Sequence, residues 1–324
     1  MKLKIEYLIL VVVILALSMY LVLHKRDRLQ YGLPELHKLM KKEITKIQIS
    51  KQDTAVLLSR KGNVWQIVPE GYQAEGSQVE NMLDVIEALT LTALVSESRN
   101  YDRYSLDEEN KIEVKAWVGD KLSRVFQIGK AATTFRHTFV KLSDDPRVYQ
   151  ATGDFRNKFD LSVDNLRDKT VLAFDASEIR EIHLSTGEQS IVFTRKQVHG
   201  EITSSQEEKS QSSQAPMEGP TWQSTDGKSG DESKLNRILT TLSNLRCERY
   251  LEDGKKEDLS DPICTIQLTG VKKYSLSIYE KIEANSNNYP ATSSDNDYAF
   301  LLPSWQVNDI LKAPEEFLEK TDEP

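Results

Sequence analysis

The chain has 324 residues, of which 39% are apolar and 28% charged, and its mean hydropathy is -0.49. The length suggests about two domains, and the composition excludes a collagen, a disulfide-dense miniprotein, a wholly disordered chain and a membrane protein with many spans. Because 50 acidic residues outnumber 42 basic ones, the formal net charge is -8. Such a chain should be repelled by phosphate backbones, so we do not expect nucleic-acid binding.

An uncharged, apolar stretch near the start of the chain runs from Tyr7 to Leu23. As a helix it would cover about 26 Å, the short end of a bilayer span, and the basic residues on both flanks can extend that reach by snorkelling. We therefore expect a single uncleaved transmembrane anchor. Two alternatives stay open, namely a signal peptide cleaved after Ala16-Leu17-Ser18 and a buried helix of a soluble protein.

The predicted anchor also indicates the compartment of the residues that follow it, the body of the protein. The basic flanks are nearly balanced and do not fix the orientation, but a short N-terminus inside with a large exported domain is the commoner arrangement. We therefore expect a single-pass inner-membrane protein with its body on the periplasmic or extracytoplasmic side. In an oxidising compartment Cys247 and Cys264 could form one disulfide, and the alternative is two buried free thiols.

The body shows an internal repeat. Two apolar blocks and a tryptophan recur in the same order, at Ile44, Val56 and Trp65 in the first copy and at Ile179, Ile191 and Trp222 in the second. The blocks lie 135 residues apart and the tryptophans 157 apart. The extra residues of the second copy fall in 197–220, a stretch rich in Ser, Gln and Glu that we interpret as a disordered loop at a hairpin tip. We interpret both tryptophans as core residues.

A helix and alternating strands follow each tryptophan. Apolar residues at i, i+3, i+4 and i+7 predict one buried helical face in each copy, at Met82, Val85, Ile86 and Leu89 in the first and at Leu235, Ile238, Leu239 and Leu242 in the second. Strict alternation in the later strands is typical of an antiparallel sheet with one buried face. In each copy an aromatic residue, Phe155 or Trp305, then begins a short helix.

These patterns predict an α+β fold, in which one N-terminal transmembrane helix is followed by two tandem repeats, each an antiparallel sheet packed against a helix. The predicted segments are an anchor with basic flanks over 1–28, a linker over 29–43, a first repeat over 44–172 and a second repeat over 173–324 with its disordered loop at 197–220.

Several of these segments carry a family resemblance. They are the stretch from Trp65 to Pro69, the turn Tyr104-Ser105-Leu106-Asp107, the strand Val125 to Lys130, the pair Val148-Tyr149 and the stretch Leu166 to Lys169. Together with the anchor they resemble the bacterial domain of unknown function 4340 family over nearly the whole chain after the anchor. The second copy departs from the pattern, because it has no proline after Trp222 and has Tyr279-Glu280 in place of Gly129-Lys130.

The resemblance implies one N-terminal anchor, an extracytoplasmic body and an association with ABC-type export systems of the gliding-motility auxiliary kind. It implies no chemistry and no catalytic residues.

The sequence patterns predict no catalytic, cofactor or metal site. Gly227-Lys228-Ser229 lacks the first glycine of a phosphate-binding loop, and the five histidines never occur at the spacing of a helical zinc site. His183 lies in a predicted strand, where we expect it on the polar face.

Two acidic runs are interpreted as turns. The run Asp295-Asn296-Asp297 lacks the glycine and the glutamate that a calcium loop needs at its sixth and twelfth positions. The run Asp107-Glu108-Glu109 is most simply a solvated acidic turn.

We therefore expect a non-enzymatic protein without a cofactor, acting as an accessory or scaffolding component of an ABC-type transport system or envelope complex, with an ABC permease as a candidate partner. The alternative is a small-molecule-binding or hydrolytic domain with its site in a cleft between the two repeats. A polar cleft holding a carboxylate or histidine of shifted pKa would favour that alternative.

Overall fold

A computed structural model describes residues 11–20, 32–133, 135–196, 221–256, 259–283 and 285–319. The chain divides into two compact units, Met1–Asp168 and Lys169–Pro324. Each unit has a core cluster of its own, and each is built around one wide antiparallel sheet.

The first unit contains a nine-stranded sheet in the order β4-β3-β2-β1-β6-β7-β8-β9-β5. Its strands are β1 (Ile44–Lys51), β2 (Thr54–Lys61), β3 (Val64–Val68), β4 (Tyr72–Gln73), β5 (Leu91–Ser96), β6 (Ile112–Val118), β7 (Lys121–Ala131), β8 (His137–Leu142) and β9 (Val148–Thr152). Residues 11–20 are helical, and the unit also contains the α-helices α1 (Gly76–Ala88) and α2 (Val163–Leu166) and the short 3-10 helices Lys41–Glu43, Asp102–Tyr104 and Arg156–Lys158.

The second unit contains an eight-stranded sheet in the order β13-β12-β11-β16-β17-β18-β19-β15 and a separate pair, β10-β14. Its strands are β10 (Thr170–Ala173), β11 (Glu181–Thr186), β12 (Gln189–Lys196), β13 (Thr221–Ser224), β14 (Asn244–Arg246), β15 (Arg249–Lys255), β16 (Cys264–Thr269), β17 (Lys273–Ile278), β18 (Asn288–Ser293) and β19 (Tyr298–Pro303). Its α-helices are α3 (Glu232–Leu242) and α4 (Ser304–Ile310), and its 3-10 helices are Ala176–Glu178 and Pro314–Phe317.

The two large sheets have the same strand order, apart from the two-residue strand β4 at the edge of the first. Their first hairpins also share a register, since Lys46 pairs with Ser59 and Glu181 pairs with Thr194, each position 135 residues further on. The same hairpin turn closes both, with a left-handed backbone at its first residue.

That residue is Gln52 with φ of 51° in the first unit and Gly187 with φ of 59° in the second. Two-residue hairpin turns need such a backbone because it matches the twist of the strands.

The long helix of each unit covers its sheet with the apolar face predicted from the sequence. Met82, Ile86 and Leu89 of the first face are buried and Val85 packs against the core. All four predicted positions of α3 are buried. Trp65 and Trp222 are also buried, in the cores of their respective units. The predicted helical faces and the core placement of both tryptophans are therefore confirmed.

The expected membrane anchor is not supported and is corrected here. Among the described residues no helix is long and apolar enough to cross a membrane. Of the stretch from Tyr7 to Leu23, residues 11–20 are described and helical. The rest of the stretch lies outside the described residues. The predicted transmembrane helix and the single-pass inner-membrane location that rested on it are therefore withdrawn.

The α+β description also needs correction, because it gives the helices too much weight. Among the described residues each unit has one α-helix longer than ten residues, α1 or α3, against eight or nine strands in its large sheet. The described fold is therefore mostly antiparallel sheet. The predicted loop at 197–220 lies outside the described residues.

Candidate functional site

Asp145, Arg147 and Tyr149 form a hydrogen-bonded cluster in the turn before β9 and at the start of that strand. Asp145 accepts hydrogen bonds from Arg147 Nε at 2.9 Å and from Arg147 Nη2 at 2.7 Å. The hydroxyl of Tyr149 donates to the same carboxylate at 2.6 Å. The Arg147 guanidinium also lies over the ring of Tyr149, 5.6 Å from its centroid.

These contacts shift the pKa values of Asp145 and Tyr149. The shifts favour an ionised Asp145 carboxylate and a neutral Tyr149 hydroxyl. The hydrogen bond from Arg147 holds the pKa of the Asp145 carboxyl well below its usual range. Burial, together with the hydrogen bond to Asp145, raises the pKa of Tyr149 to about 12. At neutral pH the carboxylate is ionised and engaged by two donors, and it is far from the pKa that a general base needs. The cluster therefore stabilises the turn.

A buried arginine joins three parts of the first unit. Arg124 lies on β7, is 8% exposed, and donates to the backbone oxygens of Ile86 and His37. Ile86 lies in the last turn of α1, where carbonyl groups lack partners within the helix. The guanidinium therefore caps the helix C-terminus and ties the segment before β1 to it. Burial lowers the pKa of Arg124.

Two of the segments that carry the family resemblance are in contact. A Cβ atom added to Gly129 would overlap the backbone oxygen of Tyr104, so only glycine allows this close approach. Arg156 strengthens the same region, because its Nη1 donates to the backbone oxygens of Ile128 and Gly129, both at 3.0 Å. The motif glycine is therefore explained by packing between a turn and β7.

A cavity of the first unit has a volume of about 430 Å³, and charged side chains line it. Two of these charged groups have partners within the fold. Arg156 binds the backbone carbonyls named above, and Asp160 forms an ion pair with Lys51 at 2.6 Å.

A second cavity of about 290 Å³ lies in the second unit, between α3, α4 and the turn Pro314–Phe317. Trp305 of α4 is 71% exposed. Phe155, its expected counterpart in the first unit, is only 4% exposed, so the two aromatic residues do not play the same role. Sequence patterns had not pointed to this exposed tryptophan, although the spacing of the buried residues Val307 and Ile310 along the helix places Trp305 on the outer side of α4.

The structure places His183 in β11 and Asp107 in a turn before β6. His183 is half-buried and alternates with the buried residues Ile182 and Leu184. The carboxylate of Asp107 accepts hydrogen bonds from the backbone and side-chain nitrogens of Asn110, which closes the acidic turn.

The other acidic run is also a turn, between β18 and β19. Asn296 donates to the hydroxyl of Tyr250 at 3.1 Å and accepts from the backbone nitrogen of Tyr298 at 3.0 Å. Within the described part of the chain no three His, Cys, Asp or Glu side chains are grouped so that they could hold a metal ion. Cys247 and Cys264 are buried and are not joined by a disulfide.

The sequence matches the model of one protein family. The family model described as Domain of unknown function (DUF4340) matches residues 65–262, which is more than half of the chain. The chain belongs to the DUF4340 family. No curated protein and no solved structure gives a significant match.

The DUF4340 match confirms the resemblance stated from the sequence and extends over parts of both units. It begins at Trp65 in β3 and ends at Pro262, just before β16. The contact between Gly129 and Tyr104 and the Asp145 cluster lie within it.

Proposed function

We propose that this DUF4340 protein is a non-enzymatic accessory subunit that binds other proteins of an ABC-type transport system. The observation that carries the proposal is that two charged groups with shifted pKa values, Asp145 and Arg124, are bound by partners within the fold. The carboxylate of Asp145 is engaged by Arg147 and Tyr149, and the buried guanidinium of Arg124 is engaged by backbone oxygens.

This arrangement favours a scaffold over a catalyst for a physical reason. Catalytic groups are poised near the working pH and face a space where substrate can enter. The cluster of Asp145 instead holds its carboxylate ionised and occupied by two donors, and it lies in a turn that it stabilises.

A binding role is supported by the surface of the second unit. A tryptophan buries a large area when a partner covers it, and tryptophan is enriched among the residues that dominate protein interfaces. Trp305 exposes 71% of its surface, whereas Trp65 and Trp222 are buried. The link to an ABC-type transport system comes from the family resemblance and is the finer part of the proposal.

Crosslinking in living cells tests this function. The full-length chain would carry a C-terminal affinity tag and be expressed at its natural level, and cells would be treated with a cleavable amine-reactive crosslinker before purification and mass spectrometry. We expect a permease or ATPase subunit of an ABC-type system to be enriched over a control strain that expresses the tag alone.

Two outcomes would contradict the proposed function. If no subunit of such a system is enriched, the assignment to transport is wrong. If the purified chain instead turns over a small molecule, the non-enzymatic assignment is wrong.

A further inference from the structure

We draw no further inference here: the strongest candidate, the loop between β7 and β8 in which Phe135 has a left-handed backbone with φ of 52° and is 73% exposed, is an exposed apolar tip, and nothing in the described part of the structure shows what covers it.

Discussion

The carboxylate of Asp145 accepts hydrogen bonds from two side chains that follow it within four residues, Arg147 and Tyr149. We predict that Asp145→Asn lowers the free energy of unfolding at pH 7 by about 2 kcal/mol, the usual value of hydrogen bonds to a charged group. Urea unfolding of the full-length chain measures this. The neighbouring Asp144 is exposed, so Asp144→Asn should change that free energy by less than about 0.5 kcal/mol.

The pH dependence of this effect has a definite sign. The pKa of Asp145 is lower in the folded chain than its ordinary value of about 4, so its stabilisation is complete above that value and is lost as the pH falls through the folded-state pKa. The difference between the unaltered chain and Asp145→Asn should therefore shrink steadily below pH 4. A difference that stays constant down to pH 2 would show that the ionised carboxylate is not its source.

At the scale of single elements, β7 is constrained by its close approach to a turn. We predict that Gly129→Ala lowers the free energy of unfolding by about 2 to 3 kcal/mol, because the added Cβ overlaps the backbone oxygen of Tyr104 and forces the strand or the turn to move. Thermal melting followed by circular dichroism measures the change.

A second glycine gives the matched control. Gly76 is the first residue of α1 and has open space around the position of a Cβ. There Gly76→Ala should leave stability unchanged or raise it by up to about 1 kcal/mol, since alanine favours helix. Equal effects at the two glycines would contradict the packing explanation of the family motif.

The end of α1 depends on the arginine beneath it. We predict that Arg124→Met lowers the free energy of unfolding by about 2 to 3 kcal/mol, because it leaves the backbone oxygens of Ile86 and His37 without their donor. Hydrogen exchange should show faster opening at the C-terminal turn of α1. The exposed residue Arg99 provides the control, and Arg99→Met should leave both measurements unchanged.

Local patterns in the sequence were sufficient to predict some of these elements. The apolar spacing of Leu235, Ile238, Leu239 and Leu242 defines one helical face, and that face is the buried one. The apolar blocks that begin at Ile44 and Ile179 likewise predicted both first hairpins. Such features depend on neighbours along the chain, so periodicity is enough to find them.

Contacts between distant segments could not be read in the same way. The strand after α1, β5, pairs with β9 at the far edge of the sheet. The amino-acid composition of β5 does not indicate that it pairs with β9. The close approach of Gly129 to Tyr104 and the burial of Arg124 also need the folded chain to become visible. The anchor was predicted from the length and hydropathy of one stretch and its basic flanks, and among the described residues no helix is long and apolar enough to cross a membrane.

For the molecule as a whole, β12 and β13 take the places in their sheet that β2 and β3 take in theirs, and residues 197–220, which lie outside the described residues and which we interpret as an insertion, separate them along the chain. Lys196 and Thr221 are paired directly across β12 and β13, so a two-residue turn is long enough to join them. We predict that replacing 197–220 with Asn-Gly leaves the free energy of unfolding unchanged or raises it by at most about 2 kcal/mol, because a shorter loop costs less entropy to close. Urea unfolding measures this, and clear destabilisation would contradict the placement of the insertion.

The pairing of Lys196 with Thr221 also makes this position useful to an experimenter. Chain ends that lie side by side on adjacent strands accept a guest protein whose own termini are close together, and they suit circular permutation. A fluorescent reporter could therefore be spliced in at this point, far along the chain from either terminus, and the location of the protein could be followed in living cells without relying on a terminal fusion.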